Sequence, residues 1–84
     1  MPPEPLPRKY FSSTSTRSVL AKNIVRLRAE KGWSQEALGF EAGLHRTFIA
    51  HVERGVRNIS IDNLEKIARA FGVATYKLLE PHTQ

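Results

Sequence analysis

Residues 34–55 read SQEALGFEAGLHRTFIAHVERG, and this stretch decides the fold. Ser34 is a favourable N-cap, and Gly43 ends the short helix that follows it, because glycine tolerates a left-handed backbone. A second short helix covers about residues 45–54, and Gly39 in the first helix lets the two backbones approach closely. The pattern predicts a helix-turn-helix, in which two short helices cross at a fixed angle.

The outward face of the second of these helices carries polar side chains. Its apolar residues recur at helical spacing and point inward. The four residues that we predict to contact bases share the opposite face and are Arg46, Thr47, Ala50 and His51. An arginine can donate two hydrogen bonds to guanine O6 and N7, and a threonine offers a hydroxyl and a methyl that suits thymine. We therefore predict sequence-specific binding to double-stranded DNA, with this helix in the major groove.

Further polar residues flank the same face. Arg54, Arg57 and Asn58 follow the second helix closely, and Gln35 stands at the amino end of the first. We predict that these residues contact phosphate, which sets register and salt dependence but carries little sequence information. The amino end of a helix favours an anion, which supports this role for Gln35.

Three further helices complete the predicted domain. One covers about residues 18–31, another follows the N-cap Ser60 and ends at Gly72, and a short last helix covers about residues 75–80. Strand-like alternation of apolar and polar residues is not visible. The sequence therefore predicts an all-α, five-helix domain over residues 18–81.

The residues on either side of this domain differ from it in composition. Residues 1–17 are rich in Pro, Ser and Thr, and they carry too little apolar surface to offset the entropy of ordering them. We expect a flexible N-terminal arm over residues 1–17 and a short tail over residues 82–84.

The composition favours a polyanionic partner and argues against several other classes of protein. Thirteen Lys and Arg against eight Asp and Glu give a formal net charge of +5. Cysteine is absent, which excludes disulfides and thiolate metal sites and fits a reducing cytoplasm. No apolar run approaches the roughly 20 residues that cross a bilayer. The three histidines lack the partners that catalysis or metal binding requires, so we expect no enzyme, no cofactor and no metal.

From Leu20 to Leu79 the chain resembles the Cro/cI-like (XRE) helix-turn-helix family, and the resemblance implies a lambda-repressor-like fold. Four segments carry it: IVRLR at 24–28, GWSQEAL at 32–38, AGL at 42–44 and VERG at 52–55.

Within that family, LHRTFI at 44–49 and VERGVRNIS at 52–60 look most like the controller proteins of restriction–modification systems. The resemblance implies a small homodimer that binds a palindromic operator beside its own promoter. It implies that the dimer activates its own gene and the endonuclease gene at low dose, with RNA polymerase as a partner, and represses at high dose. It also implies base contacts by Arg46 and Thr47. Phe48 stands where such proteins often carry tyrosine. We therefore include Phe48 among the predicted phosphate contacts, although it lacks the hydroxyl of tyrosine.

Other residues are predicted to hold the domain or the dimer together. Trp33 and Leu38 have the spacing of a hydrophobic staple around Ser34, which predicts a structural Trp33. The resemblance implies an ion pair between Arg28 and Glu53, also structural. The apolar residues left over on the last two helices, which we predict to form the dimer interface, are Ile61, Tyr76 and Leu79.

Two alternatives to a controller protein stay open. One is a repressor of a phage or mobile element, or an orphan regulator, which neighbouring genes would distinguish. The other is an antitoxin-type module that mainly binds a protein, with residues 1–17 carrying the partner contact.

Overall fold

The structure, a computed structural model, describes residues 15–82, and all regular secondary structure in that range is helical. Four α-helices precede a single 3-10 helix, which we call η1. In chain order they are α1 (Thr16–Lys31), α2 (Gln35–Ala42), α3 (Arg46–Glu53), α4 (Ile61–Phe71) and η1 (Thr75–Leu79). The all-α prediction is confirmed. The last element, predicted as a short fifth helix over about residues 75–80, is a 3-10 helix over Thr75–Leu79, so the domain has four α-helices and not five.

Helix α1 begins earlier than the sequence pattern predicts. Ser15 is its N-cap, and the Ser15 hydroxyl accepts a hydrogen bond from the Ser18 backbone N–H at 3.1 Å. This hydrogen bond satisfies a backbone N–H in the first turn, so the helix begins at Thr16. Helix α1 therefore begins two residues before the predicted start and includes Arg17, which we had assigned to the arm. Residues 1–14 of the predicted arm and residues 83–84 of the tail lie outside the described residues.

Helix α3 is shorter than predicted, and a histidine caps it. Its regular part runs from Arg46 to Glu53, and the His45 Nδ1 accepts a hydrogen bond from the Thr47 backbone N–H at 3.0 Å. Gly43, with φ of 71°, provides the left-handed residue that turns the chain from α2 towards α3. The helix-turn-helix is thus closed by one side-chain cap and one glycine.

Every element contributes to one apolar core. The buried apolar residues include Leu20 and Ile24 from α1, Leu38 from α2, Ile49 and Val52 from α3, Ile67 and Phe71 from α4, and Leu78 from η1. Full burial of such a side chain stabilises the fold by about 1.5–3 kcal/mol. Helix α3 is therefore fixed from its inner face, which leaves its outer face to solvent.

Helices α2 and α3 cross at very close range. A Cβ atom built on Gly39 would stand 2.5 Å from the backbone oxygen of Leu44, and the Leu44 N–H in turn donates to the Gly39 carbonyl at 2.8 Å. Only glycine fits this approach without a backbone shift. Gly39 therefore sets how closely α3 docks on α2.

Two side chains tie the ends of the domain to its core. Trp33 packs against the core and stacks on Phe71 of α4 with ring centroids 5.8 Å apart. Asn23, which the sequence analysis did not single out, is buried, and its Nδ2 donates to the carbonyls of Leu78 and Glu80 at 2.8 and 2.9 Å. Asn23 therefore fastens η1 to α1.

No helix within residues 15–82 has the length and apolar content needed to span a membrane.

Candidate nucleic-acid interface

The exposed face of α3 brings together the four residues predicted to contact bases. Arg46 and Thr47, in the first turn, are exposed, and Ala50 and His51, one turn later, are half-buried. Their spacing along the helix places them on one face, opposite the buried Ile49. The result is a short polar ridge of the kind that a major groove accommodates.

Arg46 is not free in this structure. Its Nη1 donates to Oε2 of Glu36 on α2 at 3.2 Å, and both side chains are mostly exposed. Glu36 has no part in the site predicted from the sequence. The two residues are ten positions apart on different helices, so no periodic signal connects them.

Three of the predicted phosphate contacts, Arg54, Arg57 and Asn58, lie between α3 and α4. Arg54 caps α3, and the Arg57 guanidinium lies over the Phe48 ring, 5.1 Å from its centroid. The Phe48 ring itself packs against the core. Phe48 thus supports Arg57 through a cation–π contact, and its own contact with phosphate stays a prediction.

Asn58 links the loop to the start of α1. Its Oδ1 accepts a hydrogen bond from Nη2 of Arg17, a residue that we had placed in the N-terminal arm. Arg17 thereby adds a cation beside the loop that carries Arg57. The pairing joins residues 41 positions apart, and the sequence offers no local signal for it.

A polar network underlies the helix-turn-helix and joins three helices. Arg28 of α1 donates from Nε and Nη2 to the two carboxylate oxygens of Glu53 at 2.6 and 2.9 Å. Its Nη1 donates to the Trp33 carbonyl at 2.8 Å. The Glu53 side chain is only 7% exposed, so this bidentate pair is largely shielded from water.

Gln35 is the third member of this network. Its Nε2 donates to Oε1 of Glu53 at 2.9 Å. An amide nitrogen carries two N–H groups, so one donor is left for another acceptor. A phosphate contact by Gln35 therefore stays a prediction, and the structure adds an internal role to it.

The ion pair also fixes the charge of its arginine. The hydrogen bond to Glu53 raises the pKa of Arg28 above its ordinary value, with burial opposing and the charge of Glu53 adding to the rise. Arg28 is therefore a permanent cation beside the Glu53 carboxylate.

Within residues 15–82 there is no group of three or more His, Cys, Asp or Glu side chains that could hold a metal ion. The exposed face of α3 presents the donors of Arg46, Thr47 and His51. Arg54 at the end of α3, Arg57 in the loop that follows and Arg17, which pairs with Asn58 of that loop, add cations. Such a surface is suited to a polyanion with readable base edges.

The comparisons with known proteins agree with this geometry. The helix-turn-helix family profile matches residues 24–78. The crystal structure of a hypothetical transcription factor from Neisseria superposes with a TM-score of 0.77 at 52% identity, covering 79% of this chain and 74% of that one. Control protein C.BamHI of Bacillus amyloliquefaciens is 44% identical over 69 residues, which are 81% of this chain and 85% of that protein.

A third similar protein has been solved with DNA. The restriction–modification controller protein C.Esp1396I, determined as a tetramer in complex with its natural 35 base-pair operator, superposes with a TM-score of 0.69 at 34% identity. The match covers 76% of this chain and 88% of that one. The family resemblance derived from the sequence is confirmed by these matches.

Proposed function

The chain belongs to the helix-turn-helix family of DNA-binding transcription regulators, and on that premise we propose that it reads a palindromic operator as a homodimer. Helix α3 lies in the major groove of each half-site. The function is binding and not catalysis, and it is exercised on double-stranded DNA in the cytoplasm.

The exposed ridge of α3 is the observation that carries this proposal. Arg46 and Thr47 stand at the amino end of α3, where a recognition helix contacts base edges, and His51 follows one turn later. Each good bidentate contact discriminates between bases by about 1–3 kcal/mol. Two copies of the ridge in a dimer double the number of base pairs that are read.

The flanking residues supply the affinity that is independent of sequence. Arg54 and Arg57 neutralise phosphates next to the half-site, and the remaining amide N–H of Gln35 binds a phosphate at the amino end of α2. Phe48 holds Arg57 in place. These contacts fix the register in which Arg46 meets the bases.

The physiological role that we propose is that of a restriction–modification controller. C.BamHI and C.Esp1396I are named as control or controller proteins, and the second is bound to an operator. By analogy, this chain binds beside its own promoter, recruits RNA polymerase at low dose and represses at high dose. The analogy rests on the family, whereas the DNA-reading proposal rests on α3.

Footprinting on the DNA upstream of the protein's own gene tests this role. We expect two protected half-sites whose centres lie about 34 Å, one helical turn, apart on the same face of the duplex. Specific protection elsewhere, with none at this promoter, would contradict the controller role and favour the regulator of a mobile element.

A separate test asks whether residues 1–14 contribute to DNA binding. Because α1 begins at Thr16 with Ser15 as its cap, a truncation should remove residues 1–14 and keep Ser15. We expect operator affinity to survive this truncation within about threefold, since the phosphate contacts proposed above lie within residues 35–58. Loss of operator binding on truncation would place the decisive contacts in the removed segment.

A further inference from the structure

The ion pair between Glu36 and Arg46 bridges the two helices of the helix-turn-helix at the start of each. Glu36 lies in the first turn of α2, and Arg46 is the first residue of α3. Oε2 of Glu36 accepts from Nη1 of Arg46 at 3.2 Å. The side chains are 73% and 65% exposed, so the pair stands at the surface that we propose faces DNA.

The carboxylate occupies one nitrogen of the arginine and leaves the others available. A guanidinium has five N–H donors in a rigid fork. With Nη1 held by Glu36, the Nε and Nη2 edge is sufficient for the two hydrogen bonds to O6 and N7 of guanine. The ion pair and the base contact can therefore exist together.

We propose that Glu36 is a positioning residue that sets the sequence specificity of Arg46. This inference rests on the proposed reading of DNA by α3. Glu36 restrains the Arg46 guanidinium through Nη1 and leaves the Nε and Nη2 edge for the base. A positioned fork loses less side-chain freedom when it binds guanine, so the correct base is favoured over bases that need another orientation.

Glu36 also disfavours contacts between Arg46 and phosphate. An exposed arginine without a partner can turn to the nearest phosphate, where it adds affinity for any sequence. The negative charge of Glu36 keeps the guanidinium near α2, and phosphate repels the same charge. Specificity then rises because affinity for wrong sequences falls. Glu36 is thus a repulsive element in the DNA-facing surface.

The size of the effect follows from the exposure of the pair. Exposed ion pairs couple weakly, so Glu36 changes discrimination by about two- to fivefold and contributes little to folding. The effect is confined to one base pair in each half-site, namely the one that Arg46 contacts. That confinement separates positioning from a general change in protein charge.

The test is a double-mutant cycle of Glu36→Ala and Arg46→Ala, with Glu41→Ala as the matched control. Glu41 is an exposed carboxylate on the same helix, so its removal changes the net charge equally. The readout is the ratio of Kd values for the selected duplex and for duplexes with one base pair replaced, one position at a time. Far-UV circular dichroism checks that each variant is folded.

We expect Glu36→Ala to lower discrimination about two- to fivefold at the base pair where Arg46→Ala abolishes it, and nowhere else. Glu41→Ala should leave every ratio unchanged, and Glu36→Ala should have no further effect in the Arg46→Ala background. An equal rise in affinity for all sequences in Glu36→Ala and Glu41→Ala would overturn the positioning role. If the wild type itself showed no preference at any base pair, the proposed DNA reading would fail first.

Discussion

At the scale of single residues, the α3 surface depends on a salt bridge that touches no base. Arg28 and Glu53 join α1 to the end of α3, and Glu53 also accepts from Gln35 of α2. The pair is bidentate and shielded from water, which makes it stronger than the exposed pairs elsewhere on the domain. The orientation of α3 is thus set from inside the molecule.

Arg28→Ala should destabilise the domain by about 3–5 kcal/mol, because it leaves the buried Glu53 carboxylate without a counter-charge. The measurement is the free energy of unfolding by urea. Arg69→Ala serves as the control, since Arg69 pairs with Glu65 at 3.9 Å on the exposed side of α4. This substitution should lower the free energy of unfolding by less than about 1 kcal/mol. Equal losses in the two variants would contradict the structural role of Arg28.

The raised pKa of Arg28 determines how this stability depends on pH. A raised pKa in the folded state means that the contribution is fully present below the ordinary arginine pKa and disappears only as pH rises through the folded value. Deprotonation of Arg28 should therefore not reduce the difference in unfolding free energy between wild type and Arg28→Ala when the pH rises from neutral to mildly alkaline.

Arg57 is the residue whose effect on DNA binding should be independent of sequence. Arg57→Ala is expected to weaken binding to selected and random duplexes alike and to reduce the slope of log K against log salt by about one unit per subunit. Binding titrations at several salt concentrations measure the slope. An unaltered slope would show that Arg57 contacts no phosphate.

At the scale of helices, local sequence signals predicted the helix ends, but they did not predict side-chain pairings between distant residues. Ser34, Gly43 and Ser60 marked helix ends correctly, because caps act on their own neighbours. The sharing of one face by Arg46 and His51 followed from helical spacing. Asn23 and Glu36 were missed, since their partners lie far along the chain or on another helix and leave no periodic trace. Helix α1 begins two residues before the predicted start because Ser15 caps it.

Gly39→Ala tests the close crossing of α2 and α3. Helix propensity alone would favour alanine by about 1 kcal/mol, but the new Cβ would meet the backbone oxygen of Leu44 at 2.5 Å. We expect a net loss of about 1–3 kcal/mol in the free energy of unfolding, because a backbone atom must move. A variant that is as stable as the wild type, or more stable, would show that α3 shifts on α2 at little cost.

At the scale of the whole molecule, the residues predicted to form the dimer interface are exposed. Ile61 begins α4, and Tyr76 and Leu79 lie on η1, which Asn23 and the buried Leu78 hold against the body. Exposed aromatic and aliphatic side chains on a fixed element are suited to an interface between two copies. The sequence pattern identified these residues as surplus to the core, and the interface itself stays a prediction.

Tyr76→Asp should raise the dimer dissociation constant at least about tenfold, because a charge in an apolar interface loses its water. Sedimentation velocity at micromolar concentration measures the change. Phe40→Asp is the control, since Phe40 is an exposed aromatic on α2, outside the predicted interface. A Tyr76 variant that stays dimeric, or a Phe40 variant that dissociates, would show that the interface lies elsewhere.

The central claim is that the exposed face of α3 reads DNA sequence. The most direct measurement is selection of bound duplexes from a random pool, with wild type and Arg46→Ala in parallel. We predict that the wild type enriches a palindrome and that Arg46→Ala loses the preference at one base pair in each half-site while keeping the rest. Weak, salt-sensitive binding without enrichment, or an identical motif from both proteins, would contradict the claim.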